Sequence, residues 1–418
     1  LYMLGGLPLF GAEDPHGGTG ASDVIVDGKT VKQILAERGL LTPTPLVKPI
    51  AGKTGVEGDG GVRPLAAGES GLLAANGRVE LLFLRVCFPD DLTEYCTEPE
   101  ANAMMEEVNQ WYVECSYNQM QITTTVTPLL LMPHNWHWYH ESVPTNDPDK
   151  PGVFDLVGDA CVEAAKLGYN PGNFSLITTR HRGGMFGGWT GLGGGGLTWL
   201  KATNTGVQCH EIGHAIGLGH SDSWNTGGRG TLGASDATGG YSYANEVQAY
   251  GDIYDCMGSG HPGHFNPIQK AKLGWLSGEF IQDASHNGKY RVYAFDTTEL
   301  VPGRKYALTI PKNDQQTYWA GMRAGEAPLQ AFMRSGDNGK WNKNSLMMWM
   351  APWDSQREKS NKPYPMAPCL LDTTPGSPDG KHDGGIAQGR TYDDPQSHLY
   401  ITVVDLVQTA LDPRIRRG

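Results

Sequence analysis

The stretch CHEIGHAIGLGHSD, residues 209–222, decides how the chain is read. Its first half has the texture of a helix, yet it carries Gly213, Gly217 and Gly219 beside His210, His214 and His220. Glycine in a helix interior costs about 1 kcal/mol relative to alanine, so a helix built only for packing avoids this composition. Four-residue spacing puts the imidazoles of His210 and His214 on one helix face, one turn apart. That is the bite two nitrogens need on a single zinc ion. Glu211 stands beside the first histidine, where a carboxylate reaches a water at the metal without replacing it. Gly217 can take a left-handed conformation that ends the helix, and three residues later His220 swings back as a third ligand. The pattern is H-E-x-x-H-x-x-G-x-x-H.

This extended motif resembles that of the metzincin zinc endopeptidases, whose second mark is a methionine in a tight turn beneath the metal. Met257, in YDCMGSG, is in the matching place. Within the clan the chain is most similar to the gametolysin family, the cell-wall-lysing proteases of green algae and their relatives. The likeness rests on CHEIGHAIGLGHSDSW, AYGDIYDCMGSG, HFNPIQKAKLGWL, GGWTGLGGGG and the downstream LLDTTPGSPDG and GRTYDDP, and covers roughly residues 80 to 410. The resemblance implies His210, His214 and His220 as zinc ligands, Glu211 as general base and Met257 as the Met-turn residue. Ser221 suits this family and the matrixins. Ser259 stands where astacins place a tyrosine ligand, so no fifth protein ligand is expected. The resemblance also implies that the segment from Gly183 to Leu200, with Gly187, Gly188, Trp189 and Gly191, is an edge strand that pairs with an extended substrate; a flexible loop is the plainer alternative.

The 418 residues suffice for two or three domains. From Arg78 the chain alternates strands and helices: RVELLFLRVCF, a helix opened by the capping box TEPE at Thr97–Glu100, MQITTTVTPLLLM, a helix from Val153 to Leu167, and NFSLITTR. Asn266 and Pro267 open another short helix. Residues 1–78 read as a remnant of a pro-segment or as an extended arm and linker, with one short helical candidate at TVKQILAERG. The first residues have no initiator methionine or basic flank, so the chain reads as a processed or trimmed product. Residues 279–418 hold short β-type runs such as KYRVYAF, KYALTIP, QTYWAGM, SLMMWMA and LYITVVDL. The expected architecture is an α/β (α+β) metzincin-like zinc peptidase domain at 79–278, with a twisted mixed sheet and an active-site helix, followed by an all-β, sandwich-like domain.

A net charge of −12 argues against nucleic acid or an anionic membrane as the main partner. No run of about 18 apolar residues is present, so no transmembrane segment is expected. Seven cysteines, none in a CxxC pair, allow three disulfides and are compatible with secretion. Cys87 and Cys96 are the favoured pair, while Cys209 and Cys256 form either a disulfide or two buried thiols. HNWHWYH, with His134, His137 and His140, reads as an aromatic loop rather than a second metal site. Asp372, Asp379 and Asp383 form an acidic loop that could bind calcium or remain solvated. Asn173 is a glycosylation sequon, usable only in a secreted protein. The expected function is zinc-dependent hydrolysis of extracellular matrix or cell-wall proteins, proline- or hydroxyproline-rich glycoproteins among them by family analogy. The rival reading is a latent or non-catalytic wall or surface assembly protein on the same fold.

Overall fold

The computed structural model describes residues 25–26, 29–30, 75–139, 152–186, 189–224, 247–259, 263–312, 316–323, 345–351, 368–377, 380–395 and 397–407. Gly187, Gly188, His140, Asp379 and nearly all of the arm at 1–78, including the helical candidate after Thr30, lie outside them. Within the arm, β1 (Ile25–Val26) pairs antiparallel with β2 (Lys29–Thr30).

The molecule is mixed α/β with mixed sheets. The first sheet is built from β3 (Gly77–Cys87), β4 (Met120–Leu131), β5 (Leu176–Arg180), β6 (Gly191–Gly194) and β7 (Leu197–Leu200), in the order β4-β3-β5-β7-β6. All neighbours are parallel except β6, which folds back on β7 through Gly195 and Gly196, both at positive φ. The central strand β3 is buried on both faces, as parallel sheets require. Side chains alternate along it, so Val79, Leu81 and Phe83 point one way and Leu82, Leu84 and Val86 the other.

The first face is covered by α1 (Glu98–Cys115) through Met104, Met105, Val108, Trp111 and Tyr112. Thr97 caps this helix with the expected capping box: its hydroxyl accepts from Glu100 N, and Glu100 accepts from Thr97 N at 2.7 Å. Such a cap is worth about 1 kcal/mol. The second face is covered by α2 (Val153–Lys166), which ends before Gly168 at φ 91. The helix carrying the histidines, α3 (Thr205–Ala215), packs on the first face beside α1.

The second sheet has eight strands: β8 (Asp222–Trp224), β9 (Val247–Gln248), β10 (Ile281–Asp283), β11 (Ala307–Pro311), β12 (Thr317–Gly321), β13 (Ser345–Ala351), β14 (Cys369–Leu370) and β15 (Ile386–Ala387). Its path is β10-β11-β12-β13-β14-β8-β9, with β15 also on β13. A separate hairpin joins β16 (Thr391–Asp394) to β17 (Leu399–Thr402). The expected run at 289–295 contributes only an isolated bridge, Ala294 to Met322.

Two expectations are corrected here. The boundary at 278/279 does not separate an independent sandwich, because β8 and β9 lie in the same sheet as β10 to β15. The largest apolar cluster likewise runs from Val79 through Ile212 and Met257 to Trp349 and Leu370. The physical reason is that β8 is too short to bury its own edges, and β14 covers one of them in parallel register, Asp222 opposite Cys369. Secondly, Cys87 and Cys96 are not bridged; Cys209 and Cys256 are the two buried thiols of the alternative given for them, and all seven cysteines are free and buried. Burial pushes the Cys115 thiol up to about 11 and the Cys161 thiol up to about 12, which makes them poor nucleophiles.

Candidate metal centre

Asn204 caps α3 by accepting from Val207 N at 3.0 Å, and the eleven-residue helix carries His210, Glu211 and His214 on buried positions. The helix closes in a Schellman arrangement: Gly217 N donates to His214 O and Leu218 N to Gly213 O, both at 2.9 Å. Gly217 sits at φ 102, a conformation in which any side chain would be strained. Beyond it the chain turns back and delivers His220. A second, short helix, α4 (Pro267–Lys272), holds that turn, with Gln269 Nε2 donating to Gly219 O at 3.1 Å and Lys272 Nζ donating to Gly217 O.

The three Nε2 atoms converge, with His214 Nε2 lying 3.0 Å from His210 Nε2 and 2.9 Å from His220 Nε2. The opposite nitrogens fix the tautomers. His210 Nδ1 faces Cys256 O at 2.7 Å and His214 Nδ1 faces Leu218 O at 2.9 Å. A carbonyl only accepts, so each Nδ1 carries a proton, which in a neutral ring leaves the lone pair on Nε2. Acceptor nitrogens this close repel one another unless a cation lies between them. Tetrahedral zinc with Zn–N near 2.05 Å spaces its nitrogens about 3.3 Å apart, close to the observed separations. The donor set therefore fits an imidazole-bound divalent metal, and the carbonyls supply the orienting bonds such ligands need. Burial, then His214 and His210, holds the His220 imidazole well below its ordinary range, so it stays neutral and available. Among the described residues this is the one cluster of three His, Cys, Asp or Glu groups placed to share an ion.

Glu211 is buried beside the triad, and burial pushes its carboxyl up to about 8. Strand β6 lies directly over it. A side chain at Gly191 would run into the Glu211 carboxylate, and one at Gly193 into its backbone carbonyl. These two glycines are what let the edge strand lie flat on the helix.

Met257 lies beneath α3, wholly buried. A Cβ on Gly213 would overlap the Met257 sulfur and come to 3.2 Å from Phe265 Cζ, which accounts for the third glycine of the motif. Gly213→Ala is expected to cost about 2 kcal/mol, because overpacking of up to about 3 kcal/mol outweighs the gain of about 1 kcal/mol in helix propensity. A urea midpoint at or above wild type would contradict this. Gly258 is also required, since a Cβ there would strike Asp252 O.

No family model matches the chain, and no curated protein matches it.

The other sequence candidates are placed as follows. Trp189 lies parallel to the Phe186 ring and edge-on to His181, with Lys201 Nζ 4.0 Å from its ring. His134 stacks on Trp138 and His137 on Trp136, with Arg182 over the Trp136 ring at 4.0 Å; these rings satisfy one another. Asp372 and Asp383 are bridged by the Thr374 hydroxyl, and Ser377 also donates to Asp383. Asn173 is exposed at the end of a short 3-10 turn, Pro171–Asn173.

Residues that the motif did not reveal also border the centre. Tyr250, at φ 56, lays its ring 3.8 Å from the His220 ring and donates its backbone N–H to Asp222. Asp252 and Asp255 are wholly buried beneath the Met-turn. Asp255 accepts from Met257 N and Asn266 N, and burial beside Asp252 pushes its carboxyl up to about 8. No spacing rule links these positions to the histidines; only the fold does.

His181, at the end of β5, is wholly buried with Nδ1 2.9 Å from Arg182 O, and burial drives it down to about 3. An unfolded histidine takes up a proton near pH 6.5, so between pH 6.5 and about 3 the unfolded state holds one more proton at this site. Stability therefore falls with falling pH, by up to about 1.4 kcal/mol per unit from this residue. Denaturation at pH 6.5 and 4.5 should show a shallower loss in His181→Leu; an unchanged slope would refute the assignment.

Proposed function

We propose that the chain is a metzincin-like, gametolysin-like zinc endopeptidase that hydrolyses extracellular matrix or cell-wall proteins, proline- or hydroxyproline-rich glycoproteins among them. The observation that carries this reading is the convergence of three imidazoles, those of His210 and His214 buried and that of His220 partly so, with Glu211 next to His210 on the helix under a glycine-lined edge strand. Zinc held by His210, His214 and His220 would supply a Lewis acid that acidifies a water and polarises a peptide carbonyl. Glu211 then takes the proton of the attacking water and donates it to the leaving amine. Its burial keeps the proton from being lost to solvent. Strand β6 is bonded only to β7 among the described residues, so its outer edge can accept an extended substrate backbone. A side chain at Gly191 would collide with the Glu211 carboxylate, so glycine there lets the strand pass close to it.

Among the described residues no helix is long and apolar enough to cross a membrane. We place the protein outside the cell on the chemistry of the proposed substrates. The test is zinc stoichiometry together with cleavage of casein or gelatin, with and without 1,10-phenanthroline. Chelator-sensitive cleavage at one zinc per chain is expected. Zinc bound without cleavage under any activating treatment would instead favour the latent or assembly-protein reading.

A further inference from the structure

The chemistry above uses nothing beyond residue 278, yet the chain near the third ligand is held from there. Ser221 follows His220 directly. Its N–H donates to Met257 O at 2.9 Å, and its carbonyl accepts from Asp252 N at 3.2 Å. Its hydroxyl donates to Asp252 Oδ2 at 3.1 Å and accepts from Asn266 Nδ2 at 3.0 Å. The same carboxylate oxygen accepts a third-party bond, from the indole Nε1 of Trp349 in β13 at 2.8 Å. Asp252 Oδ1 accepts from Tyr254 N at 3.0 Å. Both Asp252 and Trp349 are wholly buried.

Other bonds from the same region converge on this loop. Asp222 N donates to Pro368 O at 2.9 Å. Lys381 Nζ donates to Gly251 O at 2.7 Å, Gln248 Oε1 at 3.0 Å and Ser223 Oγ at 3.1 Å. Tyr254 OH donates to His382 O at 3.1 Å.

We infer that Trp349 is a positioning residue for His220, acting through Asp252 and Ser221, and that Trp349, Pro368, Lys381 and His382 hold the loop behind the metal centre rather than belonging to an appendage. The inference rests on the reading of the three histidines as a zinc site. A buried carboxylate needs its donors, and leaving one oxygen short is costly. Without the indole N–H, Asp252 must turn to find a replacement. Because Ser221 is bonded to Asp252 through both backbone and side chain, that turn moves the residue next to His220. Orienting partners outside the ligands commonly change metal affinity 10- to 100-fold.

The test compares Trp349→Phe, which deletes the N–H and keeps most of the ring, with Trp199→Phe in the full chain. Trp199 is equally buried and donates to Val153 O at 2.9 Å, among the side chains that pack with α2 on the far face of the first sheet. In the zinc-free protein, Trp349→Phe is expected to speed amide hydrogen exchange over residues 218–224 by about tenfold. In chelator competition it should weaken zinc binding about 10- to 100-fold. Trp199→Phe should leave both within about twofold while lowering the melting temperature comparably. Ser221→Ala cuts the same relay nearer the ligand, and combining it with Trp349→Phe should add little further loss. Wild-type exchange and zinc affinity in Trp349→Phe, equal losses in Trp199→Phe, or full additivity with Ser221→Ala would each overturn the inference. A wild type that binds no zinc but shows the exchange difference would sink the zinc reading and leave the positioning role standing.

Discussion

Glu211→Gln is expected to lower kcat/KM for peptide hydrolysis between about a hundred- and ten-thousand-fold, the range typical for loss of a positioned general base. Zinc content should not change, since the proposed ligands are the three imidazoles and Glu211 is not among them. Folding should not suffer either. Burial already pushes the Glu211 carboxyl up to about 8, so a neutral amide of the same shape is no harder to bury. This combination separates the general-base role from a structural one. Activity retained within tenfold, with zinc bound, would remove Glu211 from the mechanism.

Removing zinc is the second large effect. Three imidazoles whose Nε2 atoms face one another at 2.9–3.0 Å are arranged at a cost that only a cation repays. A ligand that binds the folded state alone stabilises it by about 4 kcal/mol at a thousandfold excess over its dissociation constant. For a chain of this size that corresponds to roughly 5–10 °C in melting temperature. His214 is the central nitrogen of the three, in contact with both others. His214→Ala is therefore expected to melt at the zinc-free temperature whether or not zinc is added. Calorimetry with and without chelator checks this. A wild type indifferent to chelator, or a zinc-dependent shift retained by His214→Ala, would place the metal elsewhere or nowhere.

The local elements were legible because local rules write them. The Thr97 capping box, the Asn266–Pro267 helix start and the apolar strand run RVELLFLRVCF are all short-range patterns, and each appears where it was expected. The convergence of His210, His214 and His220 was legible for the same reason: a four-residue spacing and one left-handed glycine bring the three rings together. What escaped were features set by long-range pairing. No local signal says that the strand after His220 will lie against residues 369–370, so the boundary at 278/279 looked like a domain junction when it is not one. Trp349 sits in an apolar strand run and reads there as core, which it also is. Its N–H becomes informative only once Asp252 is beside it. Gly213 was visible as an anomaly, but its partner, the Met257 sulfur, needed three dimensions.

The pairing of β8 with β14 also orders events in time. Residue 222 cannot find residue 369 until the chain between them has left the ribosome, and pairings this distant in sequence form late. The helix with its first two histidines can fold early, while the segment bearing the third waits. If the chain is the protease proposed above, its third ligand is set in place only after residue 369 has been synthesised, so a shorter nascent chain is harmless to the machinery that makes it.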